Sequence, residues 1–278
     1  MLPPSQRLFE TAGRLAPVEQ RPVRRRWFMD LSFRGAPFHG WQSQPNAVSV
    51  QSVVEEALAT VLRHPVPVTG AGRTDAGVNA RRMVAHFDTE GALPDVGKML
   101  VSLNRLVGRD ISIRSIREVF PESHARFDAL SRTYKYFVLF EKSPFFHALS
   151  WHCPHPLDIE AMNSAAMILP LTTDFTSFAK LHSDARTNIC HVTRAQWEPI
   201  AEEGRTIGTV FTITADRFLR NMVRAIVGTL VDAGRHKLAP HELKAIIDAK
   251  DRCSAGQSMP GEALYLWDVT YSPHIYLP

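Results

Sequence analysis

The run Ser49-Val50-Gln51-Ser52-Val53-Val54-Glu55-Glu56-Ala57-Leu58-Ala59-Thr60-Val61-Leu62-Arg63 sets the structural period of this chain. Val50, Val53, Val54, Ala57, Leu58, Val61 and Leu62 recur at the three- and four-residue steps of one helix face. Ser49 stands where an N-cap belongs. His64-Pro65 predicts the stop, because proline disfavours helical backbone in the residue before it. Outward from this helix the period changes. Trp27–Phe33 alternates large apolar residues with others and reads as a strand. Val66–Gly70 and Met83–Asp88 read as strands on either side of a glycine-rich turn. Asp95–Val107 is a second helix, and Ile111–Phe120 and Arg132–Phe140 are strands, the latter dense in β-formers. The later chain repeats the theme. Leu157–Leu169 is helical, and the strands Val192–Pro199 and Thr206–Ala215 join through Glu202-Glu203-Gly204. Phe218–Ala233 is a strong helix, Pro240–Ala249 a short one and Leu264–Tyr271 a last strand. Two halves of β-α-β-β type with long antiparallel strands predict a duplicated α+β architecture, with its softest boundary near Lys142–Pro156.

Composition narrows the class. The chain has 278 residues, 45% of them hydrophobic and 22% charged, the balance of a globular protein with a core of its own. No stretch approaches the roughly 20 uninterrupted apolar residues of a membrane span. Cys153, Cys190 and Cys253 are too few and too scattered for a disulfide framework, and Met1–Glu10 lacks the apolar centre of a secretory signal. A cytoplasmic protein is expected, and secreted, membrane-spanning and collagen-like classes are excluded. Residues 1–26 carry six arginines and two glutamates, a surplus that equals the whole formal charge of +4. The remaining chain is therefore balanced, and any nucleic-acid contact there must use a local patch. With four prolines and no apolar period, residues 1–26 read as a disordered arm. An arm that touches RNA phosphates is a competing reading. A mitochondrial presequence fits two glutamates and a single serine poorly.

The most unusual segment is Gly70-Ala71-Gly72-Arg73-Thr74-Asp75-Ala76-Gly77-Val78-Asn79-Ala80. Its glycines permit a sharp turn and the close approach of another molecule. The segment lacks the Gly-Lys-Ser/Thr ending of a phosphate-binding loop and the spacing of a dinucleotide fingerprint. From residue types alone, a tight β-turn with Asp75 capping its own backbone serves as well as any chemistry. His152, Cys153 and His155, with Cys190 and His191, do not have the spacing of a recognised zinc site.

Gly72-Arg73-Thr74-Asp75-Ala76-Gly77-Val78 resembles the catalytic-loop signature of the tRNA pseudouridine synthase A (TruA-type) family. Further segments agree in the expected order. They are Gly40-Trp41-Gln42, Ser49-Val50-Gln51, His124-Ala125-Arg126-Phe127, Arg132-Thr133-Tyr134-Lys135-Tyr136, Asp174-Phe175-Thr176-Ser177-Phe178, Phe218-Leu219-Arg220-Asn221-Met222-Val223-Arg224, Ile226-Val227-Gly228 and Leu264-Tyr265-Leu266. The likeness spans residues 27–271. It implies a pseudouridine synthase fold: two ferredoxin- or RRM-like halves sharing one mostly antiparallel sheet, helices on one side and a central RNA-binding cleft. The expected division is an arm at 1–26, a catalytic half at 27–145 and a second half at 146–278.

The resemblance also implies an isomerase that turns uridine into pseudouridine at positions 38, 39 and 40 of the tRNA anticodon stem-loop. It implies a homodimer with no cofactor and no metal. Asp75 matches the nucleophile, a role that suits an ionised carboxylate. Arg224 matches the arginine that pairs with it, and a nearby guanidinium lowers a carboxyl pKa by about 1–3 units. The helix read from Arg217 places Arg217, Arg220 and Arg224 on one face, with Phe218, Met222, Ile226 and Leu230 on its buried stripe. Tyr134 matches the active-site tyrosine, which offers a ring to stack on uracil and a hydroxyl for the C5 proton. A stem uridine must leave its stack to react, and Arg73 is placed to enter the vacated space. Arg220, His124, Arg126 and Phe127, together with His182 and Arg186, match RNA-contacting positions. Four departures bear on substrate range: Arg34 in the first strand's Tyr-Asp-Gly place, Asn79 for a histidine, Gln257-Ser258-Met259-Pro260 for a Thr-Ala-Pro-like stretch, and Ala263 for a glycine.

Overall fold

The computed structural model describes residues 24–93, 95–180 and 186–277. Most of the expected arm lies outside them, but Arg24, Arg25 and Arg26 open the first strand instead of closing an arm. They are held there by charge: Arg26 Nε meets Asp88 Oδ1 at 2.8 Å, and Arg25 Nη1 meets Glu118 Oε2 at 3.2 Å.

In chain order the elements are β1 (Arg24–Phe33), α1 (Val50–Leu62), β2 (Thr69–Gly70), β3 (Asn79–Glu90), α2 (Val96–Leu106), β4 (Ile111–Val119) and β5 (Ala129–Leu139). Then come β6 (Trp151–His152), α3 (Ile159–Ala166), β7 (Val192–Glu202), β8 (Arg205–Ala215), α4 (Met222–Gly234), α5 (Leu243–Ala249) and β9 (Leu264–Tyr271). One sheet runs β4-β1-β3-β9-β5-β8-β7, with β2 added on β3 and β6 on β5. It is antiparallel except where β3 meets β9 and β5 meets β6. The run β9-β5-β8-β7 has the strand order of a ferredoxin-like β-α-β-β-α-β unit, and β4-β1-β3 with the short β2 repeats that order. By this pairing β5 joins the second run of strands. β5 hydrogen-bonds only to β6, β8 and β9 among the described strands.

α1 spans the residues its period marks. Ser49 Oγ accepts from Ser52 N and Ser52 Oγ accepts from Ser49 N, both at 3.1 Å, a reciprocal cap worth about 1 kcal/mol. Its end is made by Arg63 in the left-handed region (φ 62°), so the helix stops before His64-Pro65 acts. The expected strand 66–70 shrinks to β2, because Val68 N donates to Glu55 Oε1 of α1 (2.8 Å) and not to a neighbouring strand.

The five α-helices of the described residues lie on one face. Leu264 packs in the core of α3, α4 and α5, and Leu266, two residues along the same strand, packs in that of α1 and α2. Period-two alternation puts both side chains on the same side. Among the described residues the opposite face holds a small buried cluster around Phe28, Val84 and Val119. No helix among the described residues is long and apolar enough to cross a membrane.

α4 corrects the expected Phe218 start. It begins at Met222, after Asn221 in the left-handed region (φ 65°), so Arg217 and Arg220 precede the helix and share no face with Arg224. The segment is pinned from outside: Lys180 N donates to Arg220 O at 3.1 Å and Leu219 is buried. α4 is also not an amphipathic surface helix. Apart from Arg224 and Asp232 its residues are buried. A Cβ on Gly228 would stand 1.8 Å from Gln257 O, so only glycine lets the segment 256–259 lie along the helix.

Candidate active site

The glycine-rich segment becomes the loop between β2 and β3, and the chain around Gly35–Trp41 braces it. Trp41 N donates to Thr74 O (3.2 Å) and Gly77 N donates to Phe38 O (3.4 Å). Gly40 takes φ +91°, and a Cβ there would meet Thr74 O at 2.4 Å, so this approach needs glycine. Asn79, a departure from the family pattern, turns out to be a strut. It is buried, its Oδ1 accepts from Gly35 N (2.8 Å) and its Nδ2 donates to Glu262 O (2.7 Å). The loop is therefore held from both sides of the β3–β9 junction.

At its apex the Asp75 carboxylate is about one-fifth exposed (21%). Arg224 Nη1 lies 3.5 Å from Oδ2, and Arg220 Nε lies 3.7 Å from Oδ1. Each carboxylate oxygen thus faces a guanidinium. The two arginines are held differently. Arg224 projects from α4, donates through Nε to Met259 O, and its own carbonyl accepts from Met259 N (3.1 Å). Arg220 reaches in from solvent with 63% of its side chain exposed.

Tyr134, on β5, faces the same space. Phe218 meets its ring edge-on, with centroids 5.1 Å apart and planes at 84°. Burial first, and then the charge of Asp75, push the Tyr134 hydroxyl up to about 12, so at neutral pH it is a proton donor. Asp75, Tyr134, Arg220 and Arg224 are accordingly brought together. Arg73 is exposed, two residues before Asp75.

The other expected contacts spread outward. His124, Arg126 and Phe127 sit on the loop between β4 and β5. The His124 ring lies 4.2 Å from that of Phe127, which is 74% exposed, and Arg126 lies 5.8 Å from the same ring. His124 also touches His86 at 4.6 Å, and burial lowers the pKa of both histidines, that of His86 to about 4. His86 is therefore neutral near pH 7. Arg132 ties this loop to the site, donating through Nη2 to Ala71 O (3.0 Å) and to Arg126 O. His182 lies outside the described residues. Arg186 is exposed, and the ion pairs of Asp75 among the described residues are with Arg220 and Arg224. No group of three His, Cys, Asp or Glu among the described residues is arranged to hold a metal ion, and Cys153 donates instead to His155 O (3.2 Å).

The residue reading missed Arg132 and the role of Asn79. Arg132 was within reach, because it stands two positions from Tyr134 on an alternating strand and so on the same face. Nothing in the sequence places Asn79 between Gly35 and Glu262, 183 positions away.

Comparison with known proteins completes the picture. The family described as tRNA pseudouridine synthase matches residues 171–272. The tRNA pseudouridine synthase A of Parabacteroides distasonis is 54% identical over 252 residues, covering 91% of this chain and 98% of its own. That of Bacteroides fragilis is 51% identical over 251 residues, covering 90% and 98%. That of Bacillus subtilis is 38% identical over 245 residues, covering 87% and 97%.

Proposed function

Because the chain belongs to the tRNA pseudouridine synthase family, as an isomerase of uridine in tRNA, we propose that Asp75 is its nucleophile and that Tyr134, Arg220 and Arg224 complete the reaction site. The observation that carries this reading is the Asp75 carboxylate set between two guanidiniums and beside a protonated tyrosine. The reaction breaks the N-glycosidic bond of uridine, turns the base, joins C5 to C1′, releases the C5 proton and takes up a proton at N1. Asp75 attacks the sugar or the base and holds the intermediate. Arg224 keeps the carboxylate aimed. The ring of Tyr134 stacks on the uracil. Its hydroxyl takes the C5 proton while passing its own to an acceptor, for which the Asp75 carboxylate is at hand once its bond to substrate breaks.

A stacked uridine is extruded first, at a cost of a few kcal/mol, and Arg73 fills the space it leaves. His124, Arg126, Phe127, His182 and Arg186 contact the RNA around the cleft. The uridines are those at positions 38, 39 and 40 of the anticodon stem-loop. The enzyme works in the cytoplasm as a homodimer, one tRNA lying across both subunits, without metal or cofactor.

The test is tritium release from tRNA carrying 5-³H-uridine, with the native protein, Asp75→Asn and an EDTA-treated sample. Release that requires Asp75 and ignores EDTA supports the reading. Binding of tRNA with unchanged release by Asp75→Asn removes Asp75 from the chemistry, and loss on chelation brings in a metal.

A further inference from the structure

Arg132 sits at the start of β5, partly buried, and spends its guanidinium on main-chain carbonyls. Nη1 donates to Ala129 O at 3.0 Å and to Asp216 O at 2.6 Å. Nη2 donates to Ala71 O at 3.0 Å and to Arg126 O. These four oxygens belong to different parts of the chain. Ala71 opens the loop that carries Asp75. Arg126 lies on the exposed loop with His124 and Phe127. Ala129 begins β5, which carries Tyr134. Asp216 directly follows β8, four residues before Arg220. A planar fork with five donors can span such a set, whereas an ammonium group is a compact point with three.

We infer that Arg132 is a positioning residue that sets the Asp75 loop against Tyr134 and Arg220 and couples it to the loop at 124–127. It touches no reacting atom in this arrangement. Its work is to hold the carbonyls at fixed separations, so that RNA seated on Arg126 and Phe127 is registered to the carboxylate. Displacement of a reacting group by about 1 Å costs about 10²-fold in rate, so loss of the fork is read in the chemical step before it is read in binding. The inference rests on Asp75 being the nucleophile.

The experiment measures single-turnover tritium release, with enzyme in excess over 5-³H-uridine tRNA, beside tRNA affinity and thermal unfolding. The variants are Arg132→Lys, Arg132→Gly and, as a control, Asp75→Asn. The expected result is a rate lowered by about 10²-fold in both Arg132 variants, with tRNA affinity within about threefold of native. Methylguanidinium should restore part of the rate to Arg132→Gly and none to Arg132→Lys. A native rate in either folded variant overturns the inference. So do rate, affinity and melting temperature falling together without rescue, or failure of both variants to fold, because Arg132 is then a brace of the whole sheet. An active Asp75→Asn control overturns the nucleophile assignment instead, and the two failures are told apart.

Discussion

At Asp75 the two arginines differ in support, and that difference sets their weight. Arg224 is held by Met259 from both its Nε and its carbonyl, and its side chain is 23% exposed. Arg220 is 63% exposed, where solvent screening leaves an ion pair worth about 0–1 kcal/mol. Arg224→Lys should therefore lower single-turnover tritium release by about 10²-fold, the loss typical of one preorganised charge partner. Arg220→Ala should lower it by less than about tenfold. Equal effects would mean that the two guanidiniums are interchangeable, against the contacts that distinguish them. As candidates, Asp75, Tyr134 and Arg224 were legible from the motifs alone. That Arg220 reaches Asp75 from outside the helix was not, because a helical period cannot show where Asn221 turns left-handed.

Among elements, α1 and β9 match their expected bounds to the residue, α1 because its cap and period are local. α4 does not. Its apolar run continues back to Phe218, and only the contact of Phe218 with Tyr134 and the bond from Lys180 to Arg220 explain why the helix waits until Met222. The tight seat of Gly228 on Gln257 gives α4 a sharp sensitivity. Gly228→Val must push the segment 256–259 off the helix, at about 1–3 kcal/mol of overpacking strain. It should also displace the Met259 carbonyl from Arg224. The expected outcome is a lower melting temperature with a loss of tritium release at permissive temperature. Full activity in a destabilised variant would show that the segment shifts without carrying Arg224.

The whole molecule is joined at a narrow seam. β3 and β9 pair only through Asn79 with Tyr265 and Ala80 with Leu266, and the Asn79 side chain adds the bonds to Gly35 and Glu262. Asn79→Ala leaves a buried donor and a buried acceptor unpaired, and should cost about 2 kcal/mol in denaturant unfolding. A cost near zero would mean that water replaces both bonds.

Stability should also depend on pH through His86, which is buried beneath the loop at 124–127 and accepts from Ala125 N at 3.1 Å. Its pKa falls from 6.5 to about 4, through burial first and then the charge of Arg26. A histidine held neutral by folding takes up more protons when unfolded. Its contribution is therefore complete above about pH 6.5 and is lost as pH falls toward 4. Between pH 7.5 and pH 5 the native protein should lose about 2 kcal/mol that His86→Gln does not. Parallel pH curves would place the titration elsewhere.

The sequence by itself determined the α+β class, the outlines of α1, α2 and β9, and the family and its reaction, because periods, caps and contiguous motifs are local. Only the tertiary structure decided which run of strands β5 joins, since its partners reach to Tyr271 of β9, 142 positions beyond Ala129. It also decided that Arg132 gathers four carbonyls and that Asn79 bridges Gly35 to Glu262. Those contacts depend on chain segments far apart in sequence, and only burial in a common core makes them neighbours.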